Sequence, residues 1–148
     1  MKGTLKGTGF RGYREYFRQV LSADAYEQFI ADLPGELNEI FRQPKILPSN
    51  LYDIQSHHDF LDVCCAYWGP AKEQQNAREM GSIVAKTDLT GLYKIIIKLA
   101  SVPATMRSLT SAWKNYFSEG RAWLDKTEPH HILATIQDPY RHRIHSYI

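Results

Sequence analysis

Tyr13, Tyr16, Phe17, Val20 and Leu21 recur at the i, i+3, i+4, i+7, i+8 spacing of one helical face, while Arg11, Arg14 and Arg18 take the other face. A stripe this wide must be buried against further elements, and short stripes of the same kind follow it. Ser22 is placed to cap a second helix with Ala25, Tyr26, Phe29 and Ile30 inward, and Pro34 suits the first turn of a third carrying Leu37, Ile40 and Phe41. Three short helices in succession predict a bundle. Ahead of them, residues 1–9 are glycine-rich without helical period and read as extended or irregular.

The stretch from Gln43 to Asn50 holds two prolines and reads as a connection to a short helical turn around Leu51 to Ile54. Ser56 with Asp59 three residues on resembles a capping box for a helix with Phe60, Val63, Cys64 and Tyr67 on one side, closed by Gly69-Pro70. A polar helix is expected from Ala71 to Met80. Leu89, Leu92, Tyr93, Ile96 and Ala100 keep helical spacing through Asp88 to Ala100, and Pro103 opens a helix whose Met106, Leu109, Trp113, Tyr116 and Phe117 form a wide apolar stripe ending at Gly120.

The period then changes from helix to strand. Arg121 to Lys126 and Ile132 to Ile136 read as two strands joined by the turn-prone Thr127-Glu128-Pro129-His130. Tyr140 to Ile148, with Ile144 and Ile148 at i, i+4, reads as a short terminal helix. The predicted fold class is therefore α+β, an N-terminal helical bundle followed by an antiparallel β-hairpin and a short C-terminal helix. A length of 148 residues suits one domain over 1–148, helical over about 11–118, hairpin over about 121–137 and terminal helix over about 140–148.

Composition narrows the function classes. Eighteen basic against sixteen acidic side chains leave +2, which makes nucleic acid an unexpected partner, and no apolar run is long enough to span a bilayer. Cys64 and Cys65 are neighbours and cannot staple distant segments, so a reducing, cytoplasmic setting is expected. Gly7-Thr8-Gly9-Phe10-Arg11-Gly12 satisfies G-x-G-x-x-G, but the buried strand and βαβ alternation that give the motif its meaning do not accompany it. His57-His58 and His130-His131 are adjacent pairs, and only His142-x-x-His145 puts two imidazoles on one helix face, too few ligands for a metal site. Asp59 and Asp62 read as surface charges, and no nucleophile elbow or HExxH is present, so no enzyme is expected. Lys2, Lys6, Arg11, Arg14 and Arg18 read as a solvated basic face. Tyr67, Trp68, Trp113, Tyr116 and Phe117 are the candidate lining of an apolar ligand site, since large rings both fill cores and line pockets for flat ligands.

The opening Met1-Lys2-Gly3-Thr4 with Gly7-Thr8 resembles the start of heme nitric-oxide/oxygen-binding (H-NOX) domains. Phe29 to Leu37, Arg78-Glu79-Met80-Gly81, Leu92-Tyr93-Lys94, Pro103 and Trp113 to Gly120 are more similar to a paralogous, H-NOX-like myxobacterial family, itself related to four-vinyl-reductase-type domains and Golgi transport-particle subunits. The resemblance implies an α+β ligand-binding fold of helices followed by paired strands. Heme does not carry over with it. Ala104 to Ser118, the counterpart of the helix that supplies the proximal histidine, contains none, and Tyr140-Arg141-His142-Arg143 departs from the Tyr-x-Ser-x-Arg propionate motif. His142 and His145 are the only heme ligands that would be tested.

The related fold also continues with strands beyond the terminal helix that this chain lacks, so self-pairing through the hairpin edge or that helix, giving a homodimer or higher assembly, is expected. The expectation is a non-catalytic regulatory or sensory signalling domain without cofactor, acting through protein contacts and an apolar small-molecule pocket. A heme gas sensor and a purely structural assembly module are the alternatives.

Overall fold

Two short strands set the starting points of the two central helices. In the computed structural model, which describes residues 3–88, 104, 117, 118, 120–128 and 131–137, β1 (Thr4–Lys6) pairs antiparallel with β2 (Leu51–Asp53), with Thr4 opposite Asp53, Leu5 opposite Tyr52 and Lys6 opposite Leu51. Helix α1 (Gly7–Val20) follows β1 directly and α4 (Ile54–Trp68) follows β2 directly, so one small ladder brings both helix starts together. The Gly7 N–H donates to the Asn50 carbonyl at 2.8 Å and the Ile54 N–H to the Gly3 carbonyl at 2.9 Å, which satisfies a first-turn amide in each.

Between them run α2 (Ala23–Asp32) and α3 (Gly35–Arg42), and α5 (Glu73–Asp88) follows α4. Ser22 caps α2 as the sequence predicts, accepting from the Ala25 N–H, and Pro34 precedes α3. Gly69 ends α4 at φ +70°, a conformation in which a side chain would be strained. Phe10, Phe17, Phe29, Ile30, Leu37, Ile40, Phe41, Phe60 and Cys64 form the core of this part.

Several expectations are corrected. Residues 7–9 are not irregular: α1 begins at Gly7 directly after β1, where the Gly7 N–H finds its acceptor in the Asn50 carbonyl across the ladder. Leu51 to Asp53 is a strand rather than a helical turn, because its ladder partner lies at the far N-terminus. Asp53, not Ser56, caps α4 by accepting from the Gln55 N–H; Ser56 sits inside the helix and donates to Glu36 Oε2 at 2.9 Å. Tyr67, expected on the inner side of α4, is 51% exposed. The helix expected over 71–80 starts at Glu73 and runs on to Asp88.

The described residues fall into two compact units, the first holding 3–88 and the second the described residues from 104 to 137. In the second, β3 (Arg121–Glu128) pairs antiparallel with β4 (His131–Gln137), longer at both strands than expected. The register shifts between Leu124 and Lys126, so Asp125 is an extra, bulged residue. Phe117 makes an isolated bridge pairing and Ser118 lies in a bend, so the helix expected to run through both does not include them. The fold is α+β with helices dominant. The helix expected over 88–100, most of that expected from Pro103 and the terminal helix from Tyr140 lie outside the described residues.

Candidate functional site

An aromatic cluster centred on Phe10 occupies the space between α1, α3, β2 and α4. Phe10 is fully buried and meets Tyr13, Phe41, Tyr52, His57 and Phe60 edge-on, at centroid distances from 5.1 to 6.4 Å. Such edge-to-face pairs match positive ring edges to negative faces and add about 0.5–1.5 kcal/mol each beyond burial. The Tyr13 ring is stacked against both His57, at 5.7 Å, and Phe60, at 5.0 Å. Its hydroxyl lies 3.4 Å from His57 Nδ1, a long contact in which the tyrosine donates when that nitrogen carries no proton. His57 is 1% exposed, so an imidazole that looked in sequence like half of a polar pair is a core residue. Its position three residues before Phe60 and seven before Cys64 put it on the same helical stripe, and that spacing was the available signal.

The cluster reaches the surface at the C-terminal end of α4. Phe17 stacks on Phe29 at 4.2 Å. Tyr67 stands edge-on to both, 6.2 Å from Phe17 and 5.2 Å from Phe29. Trp68, half-buried, stacks against Phe17 at 6.3 Å and meets Tyr16 edge-on at 6.1 Å. Two of the five predicted ligand residues are thus brought together, Tyr67 edge-on to core rings and Trp68 stacked on one. Phe117 belongs to the second unit, and Trp113, Tyr116, His142 and His145 lie outside the described residues.

The groups with chemical potential in the first unit are engaged in packing. Arg14, expected on a solvated face, is 8% exposed and donates to the Gln43 carbonyl at 2.7 Å. Burial, with Arg18 nearby, lowers its pKa from the usual arginine value, yet the guanidinium stays charged. Arg11 donates to the Thr87 carbonyl at 3.2 Å. The basic face is therefore in part a pair of clamps from α1 to backbone carbonyls elsewhere. Burial pushes the Cys64 thiol well above its usual range, which removes thiolate character.

The glycine fingerprint is a packing device. A Cβ at Gly7 would fall on the Leu47 carbonyl oxygen, and one at Gly12 would lie 2.9 Å from Val84 Cα. These glycines admit neighbouring backbone to the side of α1. In the hairpin, Trp123 Nε1–H donates to Asp125 Oδ1 at 2.6 Å, Thr135 Oγ1–H donates to the other carboxylate oxygen, and Arg121 lies 5.1 Å over the Trp123 ring while donating to Gln137. Asp125 thus ties its own bulge to both strands.

Among the described residues no group of three His, Cys, Asp or Glu is arranged to hold a metal ion, and no helix is long and apolar enough to cross a membrane. Compared with protein-family models, curated proteins and solved structures, the chain gives no match in any of the three.

Proposed function

We propose that this chain is a non-catalytic regulatory or sensory module that works through contacts with other proteins, with the Tyr67–Trp68 end of α4 as a contact surface. The observation that carries the reading is the state of Tyr67: half of it faces solvent while its ring meets the core rings Phe17 and Phe29 edge-on. An aromatic side chain ordered in advance loses little conformational entropy on binding, which is why such rings dominate contact hot spots. The engagement of Arg14, Ser56, His57 and Cys64 in packing supports a role in binding rather than bond-making. The resemblance to H-NOX-like proteins is in keeping with a signalling role, and an apolar small molecule or a protein side chain would meet the same ring faces.

Native mass spectrometry of the protein taken from cells tests the reading, because it reports assembly state and any retained molecule together. A retained partner or small molecule that is lost in Tyr67→Ser, with thermal stability kept, is the expected result. Retention unchanged in that variant moves the contact surface away from α4. A reaction catalysed by the purified chain would overturn the non-catalytic reading.

A further inference from the structure

Arg14 and Arg18 stand four residues apart on α1, one turn from each other on the same face of the helix. Like charges at that spacing weaken a helix, and a buried guanidinium ordinarily has an acid beside it. Here neither arginine has a carboxylate within ion-pair distance among the described residues. Arg14, though buried, makes one hydrogen bond there, to the Gln43 carbonyl, which uses one of its five N–H donors. Arg18 is exposed and lies with its guanidinium carbon 5.4 Å from the centroid of the Tyr26 ring on α2.

Tyr26 completes the group. It is 7% exposed, and its hydroxyl, shut away from water, has no hydrogen-bond acceptor among the described residues. Burial raises its pKa while Arg18 and Arg14 both work against that rise, which puts both guanidinia within electrostatic reach of the hydroxyl. An arginine carries donors only, so neither neighbour can accept the phenolic proton. The two carboxylates close enough to be felt are engaged elsewhere: Glu15 accepts from Gln19 at 2.7 Å, and Glu27 faces Arg42 at 3.7 Å.

We propose that Arg14, Arg18 and Tyr26 form a binding site for a phosphoryl group, as inorganic phosphate or as a phosphate monoester. The site offers two positive charges and three side chains that donate, and what it lacks is an acceptor. A phosphoryl group supplies about −1.5 to −2 of charge near neutral pH together with three acceptor oxygens, one for each side chain. A carboxylate brings a single charge and leaves one guanidinium unopposed. Arg18 is the entry, since an exposed side chain is free to turn off the ring and admit the anion to the hydroxyl beneath. The inference goes beyond the Tyr67 contact reading and does not depend on it.

Calorimetric titration of the unsubstituted protein with inorganic phosphate at constant ionic strength should show one saturable site that acetate fills far more weakly. Arg18→Gln, at an exposed position, and Tyr26→Phe, which keeps the ring, should each weaken phosphate by about 10–100-fold, the effect of one charged hydrogen bond. Tyr26→Phe removes a buried hydroxyl that has no acceptor, so without phosphate its thermal midpoint should equal or exceed the parent's, and added phosphate should raise the parent's midpoint more than the variant's. Lys86→Gln takes an equal charge from an exposed position of α5 and should bind as the parent does. Phosphoserine distinguishes the two sources: tighter binding than phosphate marks a phosphoryl group carried on another molecule, and weaker binding marks the free ion. Binding unchanged in Arg18→Gln and Tyr26→Phe, binding weakened as much by Lys86→Gln, acetate bound as tightly as phosphate, or no saturable binding of either phosphate compound at millimolar concentration would each overturn the site. None of these results bears on retention through Tyr67.

Discussion

Gly12 of α1 and Val84 of α5 approach so closely that a Cβ on the glycine would lie 2.9 Å from the Val84 Cα. Because the obstructing atom is backbone, no rotamer change relieves the clash. Gly12→Ala gains about 1 kcal/mol of helix propensity but meets an overpacking cost of about 1–3 kcal/mol, so a net loss of up to about 2 kcal/mol is expected. Gly35, at the start of α3, has nothing within 4 Å of the same added atom, and Gly35→Ala should raise stability by about 0.4–1 kcal/mol. Urea midpoints at constant slope measure both. Equal effects of the two substitutions would show that the α1–α5 approach is looser than described.

Tyr13 separates packing from hydrogen bonding within the aromatic cluster. Its ring stacks against His57 and Phe60, whereas its hydroxyl lies 3.4 Å from His57 Nδ1. Tyr13→Phe keeps the ring and should cost about 1 kcal/mol; Tyr13→Ala empties the site and should cost about 3–5 kcal/mol. Denaturant titration of the two variants gives the ratio. A phenylalanine variant as unstable as the alanine one would mean that the hydroxyl, not the stacking, holds this region together.

What could be read from the chain divides by sequence separation. Ser22 and Gly69 act within their own turns, so their capping roles are visible locally. The pairing of Leu5 with Tyr52 joins segments far apart, and two three-residue strands carry no period of their own. Asp53 and Ser56 are both good capping residues, and only the ladder ending at Asp53 decides between them. Phe10 was hidden by the glycines around it, although it is the centre of the core. Of the candidate site, the Tyr67–Trp68 pair stood out as adjacent large rings, while their support by Phe17 and Phe29 is a tertiary fact. Arg14 escaped because charged residues are rarely buried unless paired, and its partner is a backbone carbonyl that composition cannot reveal.

Cys64 and Cys65 occupy consecutive positions of α4 and both are buried. Burial pushes the Cys64 thiol well up, so it offers little thiolate at neutral pH. Titration with a thiol-reactive dye should therefore find neither group promptly in the folded protein and both in denaturant. Rapid modification of one thiol under native conditions would place α4 in a locally opened state and contradict the packing around Phe60.

Alkaline pH should loosen the fold through Tyr16. Its side chain is 2% exposed, and burial, with Glu79 adding to it, pushes the phenol from 10.0 up to about 12. The unfolded chain loses this proton near pH 10 while the folded chain keeps it until about pH 12. The stability linked to Tyr16 is thus fully present below pH 10 and is lost as pH rises toward 12, amounting to about 2–3 kcal/mol at most. Tyr26, raised chiefly by burial, moves in the same direction. Tyr16→Phe removes one ionising group and keeps the ring that meets Phe17 and Trp68. Unfolding free energies measured between about pH 9 and pH 12 should fall less steeply in the variant than in the parent, while lysine deprotonation contributes equally to both and cancels in the comparison. Parallel curves would assign the alkaline loss to other groups and place the Tyr16 hydroxyl in contact with water.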